Sequence, residues 1–99
     1  MRELKIITAT EQCGTKTNTL TIVLRLNKDI KDIRAAVRNA CKDYISTKEG
    51  TEVYAYNCQS FNWADFAMYV PKDICKKHGF EIADYLQTDE QVDLNEQLI

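Results

Sequence analysis

The sequence predicts an α+β fold, in which an N-terminal antiparallel β-hairpin packs on an amphipathic helix and two or three shorter helices. Three observations predict it. Apolar residues recur at every second position up to residue 26, and at every third or fourth position from residue 30. Shorter segments, bounded by capping residues, proline and glycine, follow up to residue 80. With 99 residues, of which 44% are hydrophobic, we expect one domain spanning residues 1–99.

The hairpin is predicted from "ELKIITATE" and "LTIVLRLN", two segments rich in branched residues. In the second, the apolar residues of one strand face are Leu20, Ile22, Leu24 and Leu26. The connection "QCGTKTN" contains Gly14 and Asn18, which favour a turn. Because it is longer than a tight turn requires, we expect an exposed, mobile loop that carries Lys16.

The first helix is predicted in "NKDIKDIRAAVRNACKDYIST", with Asn27 or Asp29 as its N-cap. Its apolar face consists of Ile30, Ile33, Val37, Cys41, Tyr44 and Ile45. Its basic residues, at steps of three or four on the outward face, are Lys31, Arg34, Arg38 and Lys42. The helix is therefore expected to cover the hairpin with one side and meet solvent with the other.

The segment "STKEGTEVYAYNCQ" favours a second helix, capped by Ser46 or Thr47 and weakened by Gly50. A strand is the alternative, because Val53 alternates with the tyrosines that follow it.

Two short helices are predicted in "FNWADFAMYVPKDICKKHGF". Asn62 and Asp65 have the spacing of a capping box for the first of them. Pro71 ends that helix and can begin the next, which runs to His78 and stops at Gly79.

The pattern weakens after residue 81. Val92 and Leu94 alternate, so a terminal strand or helix can dock there. An acidic tail, loosely docked over residues 86–99, is the competing interpretation.

Composition argues against a membrane or secreted protein. No stretch approaches the roughly 18 apolar residues of a membrane span, and the N-terminus has no pattern of a signal peptide. We therefore expect a cytoplasmic protein. The cysteines are Cys13, Cys41, Cys58 and Cys75; we expect free thiols, with Cys41 and Cys75 half-buried.

Catalytic and metal-binding patterns are weak. "CKKH" places Cys75 and His78 on one helical face, but a second ligand pair for zinc is missing. His78 is the only histidine, and no signature of an activated nucleophile surrounds it. We predict no enzyme, no cofactor and no metal; a small thiol or metal enzyme is the least favoured hypothesis.

Charge and aromatic residues suggest binding surfaces instead. Residues 59–99 carry three lysines and eight acidic residues, for a net charge of −5. The candidate acidic residues are Glu81, Asp84, Asp89, Glu90, Asp93 and Glu96. We expect Trp63 and Tyr69 to fill the core together with Phe61 and Phe66. The alternative is that Trp63 and Tyr69 are exposed aromatic anchors of a binding surface, which Tyr54 and Tyr56 extend.

A basic face for nucleic acid is the alternative site, formed by Lys31, Arg34, Arg38 and Lys42. The sequence pI of about 5.3 argues against direct nucleic-acid binding.

The motifs "FNWADF", "VPKDIC" and "NEQL", over residues 37–98, resemble small uncharacterised proteins of phages and integrative elements in Gram-positive gut bacteria. That resemblance brings no catalytic residues. It implies a counter-defence protein similar to anti-CRISPR inhibitors, which bind a larger host complex. We therefore expect a non-enzymatic protein-binding module, whose partner is a host protein such as a nuclease effector complex.

Overall fold

The computed structural model describes residues 3–13, 16–83, 90–93 and 96–99, with side chains described for 21–83 and 96–99. Its elements, in chain order, are β1 (Glu3–Cys13), β2 (Lys16–Leu26), α1 (Ile33–Ile45), α2 (Lys48–Tyr56), α3 (Trp63–Tyr69), α4 (Lys72–Lys77), β3 (Phe80–Ile82) and β4 (Glu90–Asp93). The predicted α+β class, with a hairpin followed by helices, is confirmed.

β1 and β2 form a longer hairpin than the sequence predicts. They pair along their whole length, from Glu3 opposite Leu26 to Cys13 opposite Lys16. Lys16 therefore belongs to β2, and the predicted long loop at this position is wrong. Pairing satisfies the backbone N–H and C=O groups of residues that a loop would leave to solvent. Gly14 and Thr15 lie outside the described residues.

Two short strands complete the sheet, whose order is β3-β2-β1-β4. β3 is antiparallel to β2, with Phe80 opposite Leu26. β4 is parallel to β1, with Glu90 opposite Ile7. The predicted terminal strand is therefore present, although Leu94 lies outside the described residues.

α1 begins at Ile33, later than the sequence predicts. Its N-cap is Asp32, whose side chain accepts a hydrogen bond of 3.0 Å from the Ala35 backbone N–H. Asn27 and Asp29, the predicted caps, precede the helix because Asp32 satisfies the first free N–H groups. The predicted apolar face is confirmed from Ile33 to Tyr44, and Ile30 packs beside it without being helical.

α2 confirms the helical interpretation of residues 48–56. Thr47 Oγ1 accepts from the Gly50 N–H at 3.0 Å and donates to the Tyr44 carbonyl at 2.6 Å. A Cβ at Gly50 would lie 1.9 Å from that same carbonyl oxygen. Gly50 is thus the residue that lets α2 pass close to the end of α1.

α3 and α4 begin and end as predicted. Asn62 and Asp65 form a reciprocal capping box, with backbone-to-side-chain hydrogen bonds of 3.0 Å in both directions. Pro71 follows α3 and is the N-cap of α4. Gly79 then adopts a φ of 95°, which is accessible to glycine and lets the chain turn into β3.

The core lies between the helices and one face of the sheet. Its buried residues from the sheet are Ile22, Leu24, Leu26 and Phe80, and those from the rest of the chain include Val37, Cys41, Tyr44, Phe61, Trp63, Phe66, Cys75 and Leu98. Within the described part of the chain, no helix has the length and apolar character needed to cross a membrane.

Candidate functional site

Trp63 is part of the core, which agrees with the core interpretation of this residue and excludes the alternative of an exposed anchor. Its side chain is 0% exposed. The Trp63 and Phe66 rings are nearly perpendicular, at an interplanar angle of 89° and a centroid distance of 6.1 Å. The indole Nε1–H donates to Glu96 Oε1 at 2.8 Å. Trp63 is therefore buried with its one polar atom satisfied, as buried tryptophans generally are.

Residues 96–99, here named the C-terminal clasp, are bound to the helices by both backbone and side chains. The Leu98 N–H donates to the Phe61 carbonyl at 2.8 Å, and Arg38 Nε donates to the Leu98 carbonyl at 3.0 Å. Gln97 Oε1 accepts from Ser60 Oγ and from the Phe61 N–H. Leu98 is 1% exposed. This part of the predicted loose tail is therefore closely docked.

Glu81 and Glu96, the two acidic candidates with described side chains, form hydrogen bonds or ion pairs within the fold. Glu96 accepts from Arg34 Nε at 3.1 Å as well as from the Trp63 indole, so both contacts hold it against the helices. Glu81 forms an ion pair of 3.6 Å with Arg25 across the β2–β3 pair. Neither residue forms an open acidic surface.

The other acidic candidates are not placed by the structure. Asp84 and Asp89 lie outside the described residues, while Glu90 and Asp93 belong to β4, where side chains are outside the description.

The basic residues of α1 do not form one solvated stripe. Arg34 and Arg38 are bonded to the C-terminal clasp through their Nε atoms. Lys31 is exposed but precedes the helix, and Lys42 is exposed on its last turn. The predicted basic face is therefore not a continuous solvent-exposed stripe, because Arg34 and Arg38 are hydrogen-bonded to the C-terminal clasp.

The aromatic candidates differ sharply in exposure. Tyr56 is 86% exposed, whereas Tyr54 and Tyr69 are partly buried against the core. Met68, which the sequence analysis did not select, is 70% exposed. Its exposure follows from helical spacing, because Trp63, Phe66 and Val70 define the inner side of this segment.

Tyr56 and Met68 lie on either side of a hydrogen-bonded junction between α2 and α3. Asn57, which follows Tyr56 and is the C-cap of α2, donates from Nδ2 to Asp65 Oδ1 at 3.2 Å. Asp65 precedes Met68 by one helical turn. The group of Tyr56, Asn57, Cys58, Asp65 and Met68 is here named the Tyr56–Met68 surface.

The backbone of this junction is tightly turned. Cys58 and Gln59 adopt φ values of 56° and 58°, in the left-handed region that few non-glycine residues occupy. Their N–H groups donate to the carbonyls of Ala55 and Tyr54 at 3.1 and 2.9 Å. These bonds end α2, and the Cys58 that follows it is exposed.

The other two cysteines with described side chains, Cys41 and Cys75, lie in the core. Cys41 and Cys75 are fully buried, at 0% and 1% exposure, rather than half-buried as predicted. Burial raises the pKa of Cys41 to about 12 and that of Cys75 to about 11. Both thiols therefore stay protonated at neutral pH and contribute apolar packing.

His78 is bound to α1 instead of sharing a site with Cys75. Its Nε2 lies 2.6 Å from Asp43 Oδ2, and Lys77 Nζ lies 3.5 Å from the same oxygen. The hydrogen bond from His78 lowers the pKa of the Asp43 carboxyl. Among the residues whose side chains are described, no group of three or more His, Cys, Asp or Glu side chains could hold a metal ion.

Comparison of the chain with models of protein families, with curated proteins and with solved structures finds no match. The site is therefore interpreted from its own geometry.

Proposed function

We propose that the protein is a non-enzymatic protein-binding module, which contacts its partner through the Tyr56–Met68 surface. The observation that supports this is the exposure of Tyr56 and Met68, the two large apolar side chains most exposed in the described part of the chain. Tyrosine and methionine are enriched in protein interfaces. Tyrosine contributes large contact area at low entropic cost, and methionine adapts to irregular surfaces.

The rigidity of the junction supports the same role. Asp65 accepts hydrogen bonds from the Asn57 side chain and the Asn62 backbone, so the loop between α2 and α3 is held at both ends. Because the surface is ordered before binding, less conformational entropy is lost when a partner docks.

The partner that we propose is a host protein that handles nucleic acid, such as a defence nuclease complex in the cytoplasm. This part rests on the resemblance to proteins of phages and integrative elements. The net charge of −5 over residues 59–99 is consistent with it, since net negative charge attracts a basic partner at long range.

The proposal is tested with purified CRISPR effector complexes of Gram-positive bacteria and titration calorimetry. We expect Tyr56→Ala and Met68→Ala each to weaken binding by about tenfold or more, as loss of a hot-spot residue does. The matched controls are Glu52→Ala on α2 and Lys72→Ala on α4, both at exposed positions, and we expect them to change affinity less than about twofold.

Two outcomes would overturn the proposal in different ways. If an effector binds equally well after both substitutions, the Tyr56–Met68 surface is not the interface. If no effector binds the wild-type chain, the nuclease partner is wrong.

A further inference from the structure

The C-terminal clasp lies in a groove between α1 and the segment that leads into α3. The residues that bind it there, here named the clasp groove, are Arg34, Arg38, Ser60, Phe61 and Trp63. Some of these groups contact the backbone of the clasp and others contact its side chains. The clasp is therefore held in the way that a domain holds a peptide ligand.

The clasp runs through the groove as a short added strand. Gln97 forms an antiparallel bridge with Asn62, and the Leu98 N–H donates to the Phe61 carbonyl at 2.8 Å. Because successive side chains of a strand point to opposite sides, Glu96 and Leu98 share one side and Gln97 lies on the other. In recognition by an added strand, pockets for alternate side chains give the specificity.

Two arginines of α1 match the spacing of an extended chain. Arg34 Nε donates to Glu96 Oε1 at 3.1 Å, and Arg38 Nε donates to the Leu98 carbonyl at 3.0 Å. Four residues of a helix rise about 6 Å, and two residues of a strand rise about 6.6 Å. One turn of α1 therefore contacts two alternate residues of a segment that lies along it in extended form.

The chemistry of each position follows from these contacts. At position 96, one carboxylate oxygen accepts from both the Arg34 guanidinium and the Trp63 indole, so the groove favours an acidic residue there. At position 98, the leucine side chain is 1% exposed and lies in the core cluster with Phe61. The groove therefore fits a segment with an acidic residue and, two positions later, a leucine.

The acidic end of the clasp is accessible from solvent. The side chains of Arg34 and Glu96 are 36% and 37% exposed. Ion pairs at such exposure contribute little to stability, so a carboxylate of another chain can compete for Arg34 while Leu98 is still buried.

We propose that the clasp groove is a binding site for an extended segment of a partner protein that carries an acidic residue and, two positions later, a leucine. The clasp is the internal ligand of this site, and a partner segment of the same chemistry displaces it. The clasp groove shares no residue with the Tyr56–Met68 surface, so this proposal does not depend on the other.

The proposal is tested with the full chain and a fluorescein-labelled peptide of sequence LNEQLI, which corresponds to residues 94–99. Fluorescence anisotropy measures its affinity. Because an internal ligand lowers the apparent affinity for an external one, the Leu98→Ala chain should bind the peptide about tenfold or more tightly than the wild type does. The milder variant Glu96→Gln should bind with intermediate affinity. Circular dichroism and Trp63 fluorescence confirm that each variant is folded.

The order of residues in the peptide and its contact with Arg34 are tested in the Leu98→Ala chain. A peptide of reversed sequence keeps the composition and charge, and it should bind about tenfold or more weakly. Adding Arg34→Ala to the chain should weaken binding of the original peptide by about fivefold or more, but should hardly affect a peptide that carries Glu96→Ala, since the two changes remove the same contact.

Three results would overturn the proposal: no binding of the peptide to the folded Leu98→Ala or Glu96→Gln chain up to about 1 mM, equal affinity of both variants and the wild type, or equal affinity for the reversed peptide. Each of them leaves the Tyr56–Met68 surface untouched, because that surface is tested by variants on other residues.

Discussion

Glu96 joins three parts of the fold through a single carboxylate. Its Oε1 accepts from both the buried Trp63 indole and the Arg34 guanidinium. Glu96, which the sequence suggested as part of an acidic binding surface, therefore satisfies a donor inside the core. A charge reversal at Glu96 would damage the fold, so it cannot serve as a test of an acidic binding surface.

We expect Glu96→Ala to destabilise the protein by about 1–3 kcal/mol, because it leaves the Trp63 N–H without its acceptor. Glu96→Gln keeps an amide oxygen for the indole and should cost less. Urea unfolding followed by Trp63 fluorescence measures both, with Glu52→Ala as an exposed control. Equal stability of the Glu96→Ala and Glu52→Ala variants would contradict the role assigned to Glu96.

At the scale of elements, the junction of α1 and α2 depends on the missing side chain of Gly50. In an exposed helix, replacing glycine by alanine stabilises by up to about 1 kcal/mol. Here the added Cβ would meet the Tyr44 carbonyl oxygen at 1.9 Å, and backbone atoms cannot move aside locally.

We therefore expect Gly50→Ala to destabilise the protein by more than about 1 kcal/mol, in contrast to the same change in an exposed helix. Thermal and urea unfolding measure the change, and Glu52→Ala in the same helix controls for general effects of alanine. An increase in stability would show that α1 and α2 are less closely packed than described.

The contact between α1 and α4 predicts a dependence on pH. The pKa of Asp43 lies below its ordinary value of 3.8, mainly because His78 donates to the carboxylate. A carboxyl whose pKa is lowered by folding stabilises the folded state at pH values above its ordinary pKa. This stabilisation is lost as the pH falls through the pKa of the folded state. Acidification below about pH 4 should therefore loosen α4 from α1.

Urea unfolding of the wild type and Asp43→Asn at several pH values measures this contribution. We expect the variant to be less stable near neutral pH and the difference to shrink on acidification. A difference that stays constant down to pH 2.5 would show that ionisation of Asp43 is irrelevant.

The sequence predicts where helices begin and end, but it does not predict how the helices and strands contact one another. Asn62, Asp65 and Gly79 act on neighbours within a few residues, so their spacing alone indicates a cap or a stop. The Trp63–Glu96 bond joins residues 33 positions apart, and no local pattern reports it. Met68 falls between these two cases. Helical spacing predicts that its side chain lies on the outer side of α3, but its high exposure depends on which residues the other elements cover.

For the whole molecule, the C-terminal clasp decides how much of the chain belongs to the folded domain. Leu98 is buried in the same cluster as Phe61 and Trp63. We expect Leu98→Ala to cost about 2–4 kcal/mol, as a large-to-small change in a core does. Chemical denaturation measures the loss, with Glu52→Ala as an exposed control.

If Leu98→Ala lowers the free energy of unfolding by less than about 0.5 kcal/mol, residues 96–99 are only loosely docked. The expected loss would instead make these residues a required part of any shortened version of the domain.

The parallel pairing of β1 with β4 has a consequence for biosynthesis. Ile7 leaves the ribosome well before its partner Glu90, which is made 83 positions later. The hairpin and helices can form while translation continues, but the sheet gains its fourth strand only after residues 90–93 have passed through the exit tunnel. Such distant pairing slows the final folding step, and until then the outer edge of β1 is open to chaperones and to neighbouring nascent chains.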